Sequence, residues 1–182
     1  ELVIRTYPGD AGARPLAGGI VFWESPDIWV VSPNGDDSPV AGKVNTVNVH
    51  VWNMGLAACY GVHVDLFWCN PSVGVNLAAS NQIGMQGPFT LQAGEHRVFG
   101  FNWTPVFANY GHECLVAHVY DPISDNLVAP FNPVQDRHCA QRNVNVVAAM
   151  AGKQVIIDFF AAKLSQNVAR STIRVEALQG VA

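Results

Sequence analysis

The chain has 182 residues, of which 49% are hydrophobic and 13% charged, against about 25% charged in an average soluble domain. That length holds one full domain, and the apolar content excludes a disordered chain. A formal net charge of −4, with ten Lys and Arg and no basic cluster, argues against a nucleic-acid partner.

Taken in chain order, residues 1–24 include "PGDAGARPLAGG" and have the composition of an irregular arm. "SPNGDDSPVAG" follows as a turn-rich stretch; Asp36 and Asp37 have no companion acid at fixed spacing and read as turn residues rather than calcium ligands. "KVNTVNVHVWN" (43–53) alternates strictly and predicts a strand, with Val47, Val49 and Val51 on one face and Asn48, His50 and Trp52 on the other. "YGVHVDLFWC" (60–69) repeats the pattern, with Val62, Val64, Leu66 and Trp68 opposing His63, Asp65 and Phe67. "HRVFGFNWT" (96–104), "ECLVAHVY" (113–120) and "QRNVNVVAA" (141–149) complete the set. Turn-formers separate these runs, and the spacing indicates an all-β sandwich. After residue 150 two more apolar stretches, "KQVIIDFFAAKL" and "RSTIRVEAL", are richer in β-branched and aromatic residues than a helix favours and read as a β-hairpin. No apolar run reaches the length of a membrane span.

In order, "SPDIWV", "VNVHVWNMG", "VHVDLFW", "LQAGEHRVFGFNWTP", "GHECLVAHVYD" and "AQRNV" resemble the CARDB group of immunoglobulin-like bacterial modules over residues 25 to 148. The most specific pieces are the Asn before Gly in "VWNMG" and the apolar-x-x-Gly turn in "LQAGEH". The resemblance implies an immunoglobulin-like β-sandwich over 25–149, between the arm (1–24) and a C-terminal extension (150–182). It also implies adhesion-type modules of larger secreted or surface proteins, with no shared active site.

"GHECLVAHVY" invites a metallopeptidase reading, since His112 and Glu113 are followed by Cys114 and His118. That motif needs its second His four residues after the first, on one helical turn, and residue 116 is Val. On a strand, His112 and His118 stand about 20 Å apart, at roughly 3.3 Å per residue, and cannot share a metal. The strand order implied by the resemblance makes 60–69 and 113–120 antiparallel neighbours. Pairing Cys69 with Cys114 then sets Asp65 opposite His118, Phe67 opposite Val116 and His63 opposite Tyr120. Cys69–Cys114 and Cys59–Cys139 become candidate disulfides, with free thiols as the alternative. An Asp65–His118 cross-strand pair would add about 0.2–1 kcal/mol.

Trp52, Phe67 and Tyr120 alternate away from the apolar face of their strands. They are either covered by loops or form a contact surface, together with Val155, Ile157 and Phe159 of the extension. No catalytic residue, cofactor or metal is assigned. The sequence leads to a non-enzymatic interaction or assembly module of an extracellular bacterial protein, secreted or at the cell surface, acting on a protein partner or on itself. The alternative is a glycan-binding or targeting module attached to a secreted hydrolase.

Overall fold

The computed structural model describes residues 1–148. Alternation of Val47, Val49 and Val51 with polar neighbours makes β3 (Asn45–Asn53) the centre of the first sheet, and every second residue along it is buried. β6 (His96–Trp103) runs antiparallel along one edge of β3, from Asn45 opposite Trp103 to Trp52 opposite His96. Two short antiparallel strands share the other edge: β2 (Ile28–Val31) against residues 46–49, and β1 (Leu2–Val3) against Trp52 and Asn53. The second sheet has the order β5 (Ser80–Leu91), β4 (Cys59–Cys69), β7 (His112–Tyr120), β8 (Cys139–Asn145), antiparallel throughout. Two 3-10 turns are the only helical pieces among the described residues. The fold is an all-β sandwich.

The sheets face each other across one apolar core. Val64, Leu66, Leu115 and Ala117 of the second sheet join Val47, Val49, Phe99 and Trp103 of the first. Each Val or Leu fully buried there contributes about 1.5–3 kcal/mol. Both ends of β3 are closed by buried Asn side chains. Asn45 Nδ2 donates to the Val40 and Lys43 carbonyls, while its Oδ1 accepts from the Val40 N–H. Asn53 Nδ2 donates to the Ala57 and Leu91 carbonyls, and its Oδ1 accepts from the Gly55 N–H. These amides supply partners to loop backbone that no strand pairs.

Three elements differ from the sequence expectation. Residues 1–24 are not wholly an irregular arm: Leu2 and Ile4 lie in the core with no exposure. Farther along the same segment, Glu24 bridges Arg142, the Ser25 N–H donates to the Gln141 carbonyl and the Asn143 N–H to the Trp23 carbonyl, which covers the free edge of β8. β5 was not expected, because Gly84, Gly87 and Pro88 interrupt its pattern. It is an edge strand whose pairing with β4 shifts register, where Pro is tolerated. Gly87 has φ 137°, and a Cβ there would stand 2.6 Å from the Val62 carbonyl oxygen. The last strand spans Cys139–Asn145 rather than 141–149. The expected hairpin of 150–182 lies outside the described residues.

The chain enters and leaves at opposite ends of the sandwich. Leu2 sits opposite Asn53 at one end. At the other, Val147 bridges Val40 and the Val146 N–H donates to the Gly111 carbonyl.

Candidate functional site

β4 and β7 pair in the expected register, with Cys69 opposite Cys114, Phe67 opposite Val116, Asp65 opposite His118 and His63 opposite Tyr120. The outer face of the second sheet is not open, however. Residues 121–138 fold back over it and place Phe131 against Phe67 (ring centroids 5.2 Å) and His118 (4.6 Å). Carboxylates hold this segment. Asp121 accepts from the Ile123 and Gly61 N–H groups, and Asp136 accepts from those of Val128, Ala129 and His138. Phe67, Cys69, Cys114, Val116, Phe131 and Cys139 form a second apolar cluster beneath it.

His118 is 3% exposed, and its Nε2 accepts from the Phe131 N–H at 3.2 Å. Burial, opposed only in part by Asp136, pulls its imidazole down to about 4, so it is neutral at pH 7. The expected Asp65–His118 pair is therefore not an ion pair. Asp65 instead takes a hydrogen bond from Tyr120, although burial still raises its carboxyl, and its Oδ1 has no hydrogen bond. Glu113 faces the inter-sheet core, 1% exposed, with neither carboxyl oxygen hydrogen-bonded. His112 and His118 lie on one strand, not on a helix, so the metallopeptidase geometry is absent.

All four cysteines are free thiols. Cys69 and Cys114 stand opposite each other, both buried, and the Cys114 thiol donates to Asn143 Oδ1 at 3.0 Å. Burial pushes each of these two thiols up to about 11. The Cys59–Cys139 pairing fails on geometry. A register shift turns Cys59 into the inter-sheet core, whereas Cys139 belongs to the cluster on the far face of the same sheet.

The aromatic residues singled out from the sequence are mostly engaged within the chain. Phe67 is 8% exposed and is not available as a contact surface. Tyr120 stacks on His63 with centroids 5.5 Å apart. Trp52 is half-buried under the N-terminal segment, with the Arg5 guanidinium 4.4 Å above its ring. Its Nε1 donates to Asp27, which is fully buried and also takes two hydrogen bonds from the Arg5 side chain at 2.7 and 2.9 Å. His50 and His96 pack against the same indole at 4.4 and 4.6 Å. Val155, Ile157 and Phe159 lie outside the described residues.

Sequence reasoning missed two groupings. The first is a buried clamp in which His138 sits between two carboxylates, Nδ1 2.6 Å from Asp136 and Nε2 3.0 Å from Asp125. Burial disfavours the imidazolium, but the two carboxylates outweigh it and raise His138 above its usual range. Burial alone would raise Asp125, yet His138, the Leu2 N–H and Arg137 hold it down at about 2. The clamp thereby fastens β1. The second grouping lies on loops at the end of the sandwich where the chain leaves, with Val44, Val106, Phe107 and Tyr110 exposed by 59%, 63%, 52% and 94%. Tyr110 holds the left-handed conformation (φ 55°, ψ 22°), which is uncommon for a bulky residue. The scattered loop positions of this group carry no periodic signal.

Among the described residues, no group of three or more His, Cys, Asp or Glu side chains is placed to hold a metal. No helix among them is long and apolar enough to cross a membrane. No family model matches the chain, and no curated protein matches it in sequence. Among solved structures it is similar in fold to the CARDB domain of a Pyrococcus furiosus protein in complex with di-metal ions. That domain is 19% identical, covering 71% of this chain and 99% of that one at a TM-score of 0.46. The C-terminal domain of wzt is 14% identical, covering 82% and 93% at a TM-score of 0.45. A Bacteroides uniformis beta-glucuronidase is 11% identical and covers 66% of this chain but only 13% of the enzyme, at a TM-score of 0.43.

Proposed function

We propose that the chain is a non-catalytic interaction module of a secreted or cell-surface bacterial assembly, binding a protein partner or a second copy through its loop end. The observation that carries this reading is the exposure of Val44, Val106, Phe107 and Tyr110 together at one end. Loops at the end of a sandwich present side chains without disturbing the sheets. Aromatic residues exposed there are the type that dominates binding hot spots. The low charge of the chain supports the same reading, since little repulsion opposes association. The test is light scattering across a concentration series on the full chain and on a Phe107→Ser, Tyr110→Ser variant. The variant is expected to associate less than the parent at equal thermal stability. Equal association of both proteins would count against the loop end as the contact surface.

A glycan-binding role draws on a different place, the end of the β4–β7 pair beyond the covered part of that face. There the half-buried His63 and Tyr120 rings stack and Tyr120 donates to Asp65, a polar and aromatic pairing of the kind that sugars engage. Retention on a glycan array, lost in Tyr120→Ala, would select this reading.

A further inference from the structure

Outside these two surfaces, the outer face of the first sheet brings two imidazoles together. His50 on β3 and His96 on β6 are diagonal neighbours, since His50 pairs with Val98 and Trp52 with His96. Their nitrogens His50 Nε2 and His96 Nδ1 lie 2.9 Å apart. On the other side of the His50 ring, Nδ1 faces Asp27 Oδ1 at 3.6 Å. That carboxylate accepts from Arg5 and lies just beyond hydrogen-bond distance of the imidazole, but its charge favours the proton on the near nitrogen, so that His50 Nε2 accepts from His96 Nδ1. The positive charge closest by, Arg5, is neutralised by its own two-point contact with Asp27.

We propose that His50 and His96 form a two-histidine site for a borderline divalent transition metal, copper(II) in preference to nickel or zinc, with water in the remaining positions. The 2.9 Å contact is a hydrogen bond between the two rings, which a shared ion would replace, and it places both nitrogens within reach of one ion at about 2.0–2.1 Å. Imidazole ligands together with the affinity order favour copper. The two rings now point at each other, and rotation of the exposed His96 ring brings both lone pairs onto a common ion.

Trp52, packed against both rings, is a built-in reporter. The full chain, freed of metal with a chelator, is titrated with copper(II), nickel(II) or zinc(II) chloride while tryptophan emission is followed. Copper binding is read independently by electron paramagnetic resonance. Expected is saturable quenching at about one copper per chain, a spectrum showing two coupled nitrogens, and weaker binding of nickel and zinc. His96→Gln should weaken copper binding by about tenfold or more, while His63→Gln leaves it unchanged. Trp52→Phe should keep the two-nitrogen spectrum and lose most of the quenching. Copper binding that is unchanged in His96→Gln, or no saturable binding below about 1 mM, a typical weak-binding limit, overturns the site.

Discussion

Replacing Glu113 with Met should make the protein more stable at pH 7. Glu113 stands opposite Val144 on the core face of β7, with both carboxyl oxygens buried and without hydrogen bonds. Burial raises its carboxyl above the usual range. A buried polar group without partners costs about 1–3 kcal/mol, and replacement by an apolar group of similar shape removes that cost. Met has nearly the same length and an adaptable unbranched side chain. For a chain of this size, about 1 kcal/mol shifts the unfolding midpoint by about 2–4 °C, so a gain of about 2–12 °C is expected. The pH dependence gives a second check. Because the folded acid keeps its proton to higher pH than the unfolded one, the part of the cost that comes from ionisation vanishes below the ordinary value of 4.5 and only that of the neutral, unbonded carboxyl remains. The cost grows as pH rises from there to the raised folded value. Thermal unfolding followed by circular dichroism at pH 4, 5, 6 and 7 should therefore show a gap between variant and parent that opens with pH. Distant carboxylates titrate alike in both proteins and cancel from the difference. A variant that is less stable at pH 7, or a gap that stays constant, would refute the reasoning.

The His138 clamp should respond to pH on the alkaline side. Its pKa is raised on folding, so its stabilisation is complete below 6.5 and is lost as pH climbs through the folded value; urea unfolding from pH 6 to 9 checks this. His138→Gln leaves the buried Asp136 without its cationic partner, while Asp125 keeps Arg137, and should cost about 3–5 kcal/mol by the same assay. Thiols held near 11 are almost wholly protonated at pH 7.5, so Cys69 and Cys114 should react with a disulfide reagent only slowly until the protein is denatured. The denatured chain should then titrate as four thiols, and a count of two would mean that the expected Cys69–Cys114 bond forms in the isolated protein. Residues 1–148 expressed alone should fold, because their core and edge pairings close on themselves. If the full chain associates where this fragment does not, the apolar run containing Val155, Ile157 and Phe159 carries the contact.

The alternating strands were legible because a period of two fixes which side chains face the core, and Val47, Val49 and Val51 have only one way to be buried together. The β4–β7 register followed from strand order and one cysteine pair. What the sequence concealed lay where a distant segment decides the environment. Phe67 and His118 read as outward-facing on their own strands, and it is Phe131, from the connection between β7 and β8, that buries them. β5 was hidden by Gly and Pro, which would be fatal to a central strand and are harmless at an edge. Leu2 and Ile4 were passed over because two buried positions are too few to show a period. The histidine pair is assembled from residues far apart in sequence, and the clamp from three positions of the irregular connection between β7 and β8, where no periodic pattern marks them.

Entry and exit at opposite ends of the sandwich have a mechanical consequence. A pull applied at residues 1 and 148 runs along the strands, with β1 drawn one way against β3 and β8 drawn the other way against β7. The hydrogen bonds on each path are then loaded together in shear, rather than opened one at a time as in a peeled hairpin. The Leu2 N–H to Asp125 bond and the Ile4 N–H to Arg137 carbonyl bond lie at the point where the load enters. A module built this way takes tension first at the anchor of its first strand, and the strength of that anchor sets the force at which it opens.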